Sequence, residues 1–374
     1  MVVVVTGQVG LDKVPFLERA VEAARAGGLD VALFHVGDRM YAEAPDVAPG
    51  RILDLPLLRL QALRRSVFKD IIAARGAAPS VLVNTHAIFR WRHGLFYAFD
   101  HDQMQALDAD LYVVLVDNID RMHWRLLRNG QLDHTLKDLM VWREEEVLAT
   151  ELLSRIVRGH GCFYILARGA EDDPDPPRML ARLLFHRDRK KAYLSFPMSH
   201  VRGSPSALAE IEGFRRQMKG GFVCFDPGDV EEKLLCEAAL AAAQEGRRTI
   251  EFGPQGRRTT LQTAQVLDIV ADIDGQIYAR DFKLIDQSDM IVSIIPEGPD
   301  GAPLLASGVE RELQHAHEAA KEVFVIWRPQ TPPSPFITET ATRVFPSTEA
   351  ALTHFRDKGY LTSGPVGGLF GGQE

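Results

Sequence analysis

Short runs of β-branched and other apolar residues recur along the chain. Most are followed by a stretch in which apolar residues return every three or four positions. Residues 2–5, all valine, end in Thr6-Gly7 and predict a buried parallel strand entering a turn. Residues 14–26 have helical spacing and stop at Gly27-Gly28, a helix-ending signal. Further strands are predicted over 31–36, 80–84, 111–116 and 162–167, with helices over 55–74 and 144–157. Strands that alternate with helices predict a parallel sheet with crossover helices.

A second alternation begins at Ala192. Strands are predicted over 192–196, 221–225, 290–295 and 322–327, and helices over 206–217, 230–245, 261–272 and 308–321. The acidic, proline-rich segment 169–178 reads as a loop before the last helix of the first half. The basic run His186-Arg187-Asp188-Arg189-Lys190-Lys191 reads as a solvated hinge between domains. The expected organisation is α/β with two domains, 1–188 and 189–360, each a mostly parallel sheet flanked by helices. A glycine-rich tail follows over 361–374. A chain of 374 residues gives either half enough length for its own core.

The formal charge of −8 argues against a general nucleic-acid binder, which needs a basic face to release counterions. Cys162, Cys224 and Cys236 fit neither a disulfide framework nor a zinc site, so buried free thiols and no metal centre are expected. The opening residues carry no basic stretch and no long apolar segment, which predicts neither a signal peptide nor a membrane anchor. Cytoplasmic residence is the expectation that follows.

The first strand feeds Gly7-Gln8-Val9-Gly10-Leu11-Asp12-Lys13-Val14 and then a helix. A phosphate-binding loop needs glycines so that backbone N–H groups can curl around phosphate, a helix N-terminus and a lysine. Gly7, Gly10 and Lys13 supply these parts. Asp12 and Val14 stand where the standard pattern has Gly and Ser or Thr. Weak Mg²⁺ dependence is therefore expected, and a loop that binds nucleotide without turnover stays open.

Residues 1–186 resemble the adenylate kinase family, especially its archaeal-type members. Phe34-His35-Val36-Gly37-Asp38-Arg39-Met40 is similar to that family's acceptor-side segment. Val83-Asn84-Thr85-His86-Ala87 is similar to its strand-end Asp-Thr-His, with Asn84 replacing the acid. Asp117 with Arg121, Arg125 and Arg128 resembles its arginine-bearing lid; the same three arginines also have the spacing of a plain solvated helix face. The resemblance implies a P-loop kinase-like domain that binds ATP or another nucleotide through Gly7, Gly10, Lys13, Arg121, Arg125 and Arg128.

The second half carries Tyr193-Leu194-Ser195, Arg280-Asp281, Asp289 before an apolar run, and Ser307-Gly308-Val309-Glu310-Arg311-Glu312 at a helix start. Breaking an N-glycosidic bond needs a carboxylate for the developing oxocarbenium, an acid for the leaving base and polar groups for the sugar. These segments, over residues 190–330, resemble the nucleoside 2-deoxyribosyltransferases and the related deoxynucleoside-monophosphate N-glycosidases. The resemblance implies a Rossmann/flavodoxin-like domain, with Glu312 as nucleophile, Asp281, Asp289 and Tyr193 as further catalytic groups, and Ser195, Ser307 and Gly308 binding substrate. It also implies a homo-oligomer. Local readings remain beside it. Ser307-x-x-Glu310 has capping-box spacing, Asp289 can cap a strand start, and Tyr193 can be a core residue with a bonded hydroxyl.

The expected function is therefore a nucleotide or nucleoside N-glycosidase or deoxyribosyltransferase with a P-loop-like domain that binds nucleotide. NAD as the substrate, a non-catalytic nucleotide sensor, and a nucleotide kinase with an accessory domain are the alternatives. A small nucleotide or nucleoside is the expected partner, with no nucleic acid and no membrane.

Overall fold

The computed structural model describes residues 1–48, 50–76, 78–91, 94–130, 134–171, 173–198 and 201–361. Residues 362–374 of the glycine-rich tail lie outside the described residues. The chain forms two compact units, one of residues 1–184 with 230–273 and the other of 185–229 with 274–374.

The first unit holds strands β1 (Val2–Thr6), β2 (Val31–His35), β3 (Ser80–Asn84), β4 (Ile88–Trp91), β5 (Gly94–Tyr97), β6 (Leu111–Val116) and β7 (Phe163–Ala167). Five of them form a sheet in the order β2-β3-β1-β6-β7, and every pairing is parallel. Helices cover both faces of such a sheet, which explains why β1 and β6 are apolar and buried along their whole length rather than alternating. The antiparallel hairpin β4–β5 stands apart from this sheet.

The second unit holds β8 (Lys191–Ser195) and β9 (Val223–Phe225), and after the excursion of 230–273 it resumes with β12 (Met290–Ile295), β13 (Glu322–Trp327) and β14 (Arg343–Phe345). Between them, β10 (Thr249–Phe252) and β11 (Thr259–Gln262) pair as an antiparallel hairpin of the first unit. The second sheet runs β14-β13-β12-β8-β9, again all parallel. Counted along that unit, the order is the flavodoxin-like 2-1-3-4-5. No helix of the described residues is long and apolar enough to cross a membrane.

The α/β reading with two parallel sheets matches the structure. The single cut at residue 188 does not, because 230–273 clusters with the first unit. Polar bonds, one pair of them fully buried, tie that segment to the rest of the first unit. Arg143 donates two hydrogen bonds to the Glu232 carboxylate at 2.8 and 3.0 Å, and Glu232 also accepts from the Ile119 N–H at 2.9 Å. Arg257 meets Glu171 at 2.7 Å. The helix expected over 261–272 is also revised. Its first residues belong to β11, whose Leu261 pairs with Ile250 of β10 across the hairpin, both buried.

Candidate functional site

In the second unit, β8 leads outward to β9, whereas β12 leads the other way to β13 and β14. Where strand order reverses, the connections leave in opposite directions and open a crevice at the carboxyl ends of the strands. Ser195 is the last residue of β8, and Tyr193 lies two positions earlier on the same face. The helix Ser307–Glu318 follows β12 and presents Glu312 to them. Tyr193 Oη donates to Glu312 Oε1 at 2.9 Å, and Ser195 Oγ donates to Oε2 at 2.6 Å. Each carboxylate oxygen is thus held by a hydroxyl, and both hydroxyl residues are fully buried.

Burial pushes the Glu312 carboxyl up to about 8; the charge of Asp281 adds to the rise and the two hydroxyl bonds oppose it. Burial, followed by the charges of Glu312 and Asp281, holds the Tyr193 phenol well above its ordinary value. Asp281 sits on the helix Val270–Asp286, its carboxylate 3.9 Å from Arg280 Nε. Four groups named from sequence therefore share one site: Glu312, Tyr193, Ser195 and Asp281.

Asp289 stands elsewhere. It accepts from the Lys191 N–H at 2.8 Å and from Lys191 Nζ at 3.2 Å, at the amino end of β8. Ser195 lies four residues further along, about 13 Å away at ~3.3 Å per residue. Asp289 thus ties a strand start. The capping-box spacing is also corrected. The residue before the helix is Ala306, which has no side chain to cap with, and Ser307 is itself helical. Ser307, Gly308 and Glu310 are exposed in the first turn. Ser293 was not singled out from sequence. It is the register partner of Ser195, fully buried, and its hydroxyl has no hydrogen-bond partner. A serine inside an apolar strand was the available signal.

In the first unit the glycine loop has the backbone its residues call for. Gly7 has φ +145°, and a Cβ there would meet the Leu115 carbonyl oxygen at 2.9 Å. Asp12 has φ +53° and precedes the helix Lys13–Ala26, so it adopts a left-handed conformation that glycine would take more readily. Lys13 is turned inward. Its Nζ donates to the carbonyls of Gly7 and Thr85, both at 2.7 Å, and lies 3.3 Å from His86 Nδ1. Burial brings the Lys13 amine down to about 7, with the charge of Glu146 opposing.

Glu146, missed from sequence, closes this network. Its carboxylate accepts from the N–H groups of Gly7 at 3.1 Å, Ala87 at 2.7 Å and Ile88 at 3.1 Å. Burial raises its pKa while Lys13 and these bonds lower it. In the sequence it is one of three successive glutamates on a long helix, which reads as a solvated face. A cavity of about 290 Å³ opens beside the loop, bordered by Lys13, Asp12, His35, Arg64 and Asn84.

The three lid arginines part company. Arg125 is fully buried and bound to Asp117 at 2.6 Å and Glu171 at 2.7 Å. Arg121 meets Asp117 at 3.2 Å. Arg128 is half exposed, 4.9 Å above the Trp124 ring and 3.9 Å from Asp12. Arg128 reaches the loop at the Asp12 carboxylate. Arg125 contacts it only through a long 3.5 Å bond to the Gly10 carbonyl. Among the described residues, no three of His, Cys, Asp and Glu are grouped to hold a metal ion.

No family model and no curated protein matches the chain. A 1.7 Å crystal structure of shikimate kinase from Bacteroides thetaiotaomicron is similar over 50% of this chain and 98% of its own, at 14% identity and a TM-score of 0.34. That likeness is too weak to bear on function.

Proposed function

We propose that the second unit breaks the N-glycosidic bond of a nucleoside or nucleotide. One observation carries the reading: a half-buried carboxylate, Glu312, is gripped by the buried Tyr193 and Ser195 where the parallel strand order reverses. Ionised Glu312 attacks C1′ of the sugar. The bond to the base breaks with its electron pair, and solvent protonates the departing base, while ionised Asp281 is the candidate to hold the sugar hydroxyls. Water or a second base then attacks C1′ and frees the carboxylate. The two hydroxyls fix the direction of the carboxylate throughout. The positive charge that grows at C1′ favours the ionised form, which burial by itself disfavours.

The first unit is proposed to bind a nucleotide, as regulator or second substrate, through Gly7, Gly10, Lys13 and Arg128. Val14 and Asn84 lack the hydroxyl and the acid that a phosphoryl-transfer site uses for Mg²⁺, which favours binding without turnover. Incubation with a panel of nucleosides, nucleotides and NAD, followed by chromatography for free base, tests the reading. Released base supports it. Redistributed phosphate supports a kinase, and neither product supports a sensor.

A further inference from the structure

The helix Leu136–Val157 of the first unit departs from an ordinary surface helix, which turns its polar side chains toward water. Its inner side carries the buried Leu139, Met140, Val147 and Leu153, but also Arg143, Glu146 and Thr150. These three are buried and bonded. Arg143 holds Glu232, Glu146 accepts from Gly7, Ala87 and Ile88, and Thr150 Oγ1 lies 2.7 Å from Thr6 Oγ1. With these polar groups committed inward, the outer side is left apolar. Val141, Leu148, Leu152 and Ile156 are 42–63% exposed. At about 100° per residue they fall within an arc of about 80°, opposite the polar row. Single apolar side chains on a surface are ordinary, whereas four in a row along about 22 Å of one helix mark a face that is covered.

The charges beside this row match the row itself turned end for end. Glu144 and Arg155 lie on the same flank, one toward each end, with side chains 42% and 54% exposed. An antiparallel copy of the helix that sets Leu148 against Leu152 of the second copy also brings Glu144 opposite Arg155 of that copy, within one residue of register. Twofold symmetry makes the pairing twice. Arg155 already meets Glu151 of its own helix at 2.6 Å, and a guanidinium with five N–H donors keeps that bond while it takes a second acceptor. On the other flank Glu145 is paired with Arg90 at 2.6 Å. A parallel copy instead sets Glu144 beside Glu145 of the second copy, like against like.

We propose that this face is the contact between two copies of the chain, joined antiparallel about a twofold axis that passes between Leu148 and Leu152. The seam belongs to the first unit and is independent of the glycosidic reading of the second. It seats on the back of the helix that supplies Glu146 to the phosphate loop. Its length is small for a protein interface, which places the dissociation constant in the micromolar range.

Sedimentation velocity on the full chain, from about 1 to about 100 µM, tests this. Over that range the wild type associates to at least twice the 41.6 kDa of one chain. Leu148→Glu and Leu152→Glu each halve the mass of the largest species, because each puts two unpartnered charges into the seam. Their circular dichroism stays that of the wild type, since both positions are exposed in the single chain. Arg155→Glu weakens association roughly tenfold, and adding Glu144→Arg to the same chain restores it. A charge that only supports its own helix gives no such rescue. A wild type that stays monomeric over this range leaves the face to another partner and overturns the proposal. So does a mass unchanged in both leucine variants, or a charge swap that fails to restore association.

Discussion

Glu146 and Glu312 are both acids that burial drives up, one in each unit, and they are satisfied in opposite ways. Glu146 takes three backbone N–H bonds and has the Lys13 ammonium for a neighbour. Its surroundings complete the charge before any ligand arrives, and a phosphate that enters must compete with carbonyls for Lys13. Glu312 has only two neutral hydroxyls, and the nearest charge that acts on it is another acid, Asp281. Its charge must be formed against its environment, so a partner that brings positive charge gains most there. Buried carboxylates are not equivalent as evidence. One that is already compensated holds a fold, whereas one that is hydrogen-bonded but uncompensated marks chemistry.

The sharpest break in this comparison is Glu312→Gln. Base release should fall by roughly 10³-fold or more while the melting temperature holds, because shape stays and nucleophilicity goes. Loss of fold instead would move Glu312 to the structural class. Glu232 provides the converse, a buried acid with a full cationic partner. Glu232→Ala should cost about 3–5 kcal/mol in denaturant unfolding, since it strands Arg143. A loss under about 1 kcal/mol would show that the pair is not buried in solution.

The pH dependence should separate the two carboxylates further. kcat/KM for base release should rise with pH through about 8 as Glu312 ionises; a fall there would make it the acid rather than the nucleophile. Its folded pKa lies above the ordinary carboxyl value of about 4.5, so its contribution to stability is present in full below about 4.5 and lost as pH rises through about 8. The melting temperature of Glu312→Gln should therefore gain on the wild type from pH 5 to pH 9. At the phosphate loop, Lys13→Ala should weaken nucleotide binding about tenfold by calorimetry, with little change on adding EDTA. Wild-type affinity should drop above about pH 7, where Lys13 loses its proton. The smallest effects belong to Asp289→Asn and Glu310→Ala, about 1 kcal/mol or less in stability and under twofold in base release. A large activity loss in either would relocate the site.

Much of this was legible in the sequence because it rests on local pattern. The valine run of β1, the glycines around Gly7 and the alternation of strand and helix follow from backbone and burial rules that act over a few residues. Glu312 was legible with Tyr193 and Ser195 through a resemblance of several short segments. Glu146 and Ser293 were not, since each acquires its role only from partners on other elements: Glu146 from residues up to 139 positions away. Asp289 and Asp281 look alike as acids near apolar runs. The direction of the strand, which no local pattern gives, separates them. The division of the chain was hidden for the same reason, because 230–273 looks like any other helix-bearing stretch of the second half.

That division has a consequence for how the protein is made. Arg143 and Glu232 stand 89 positions apart, and the acid lies on the far side of β8 and β9. At translation rates of about 5–20 residues per second, Arg143 waits on the order of ten seconds for its partner. The first unit therefore cannot finish folding from the amino terminus onward. The Arg143–Glu232 pair can close only once residue 232 has left the exit tunnel, after β8 and β9 of the second unit have emerged.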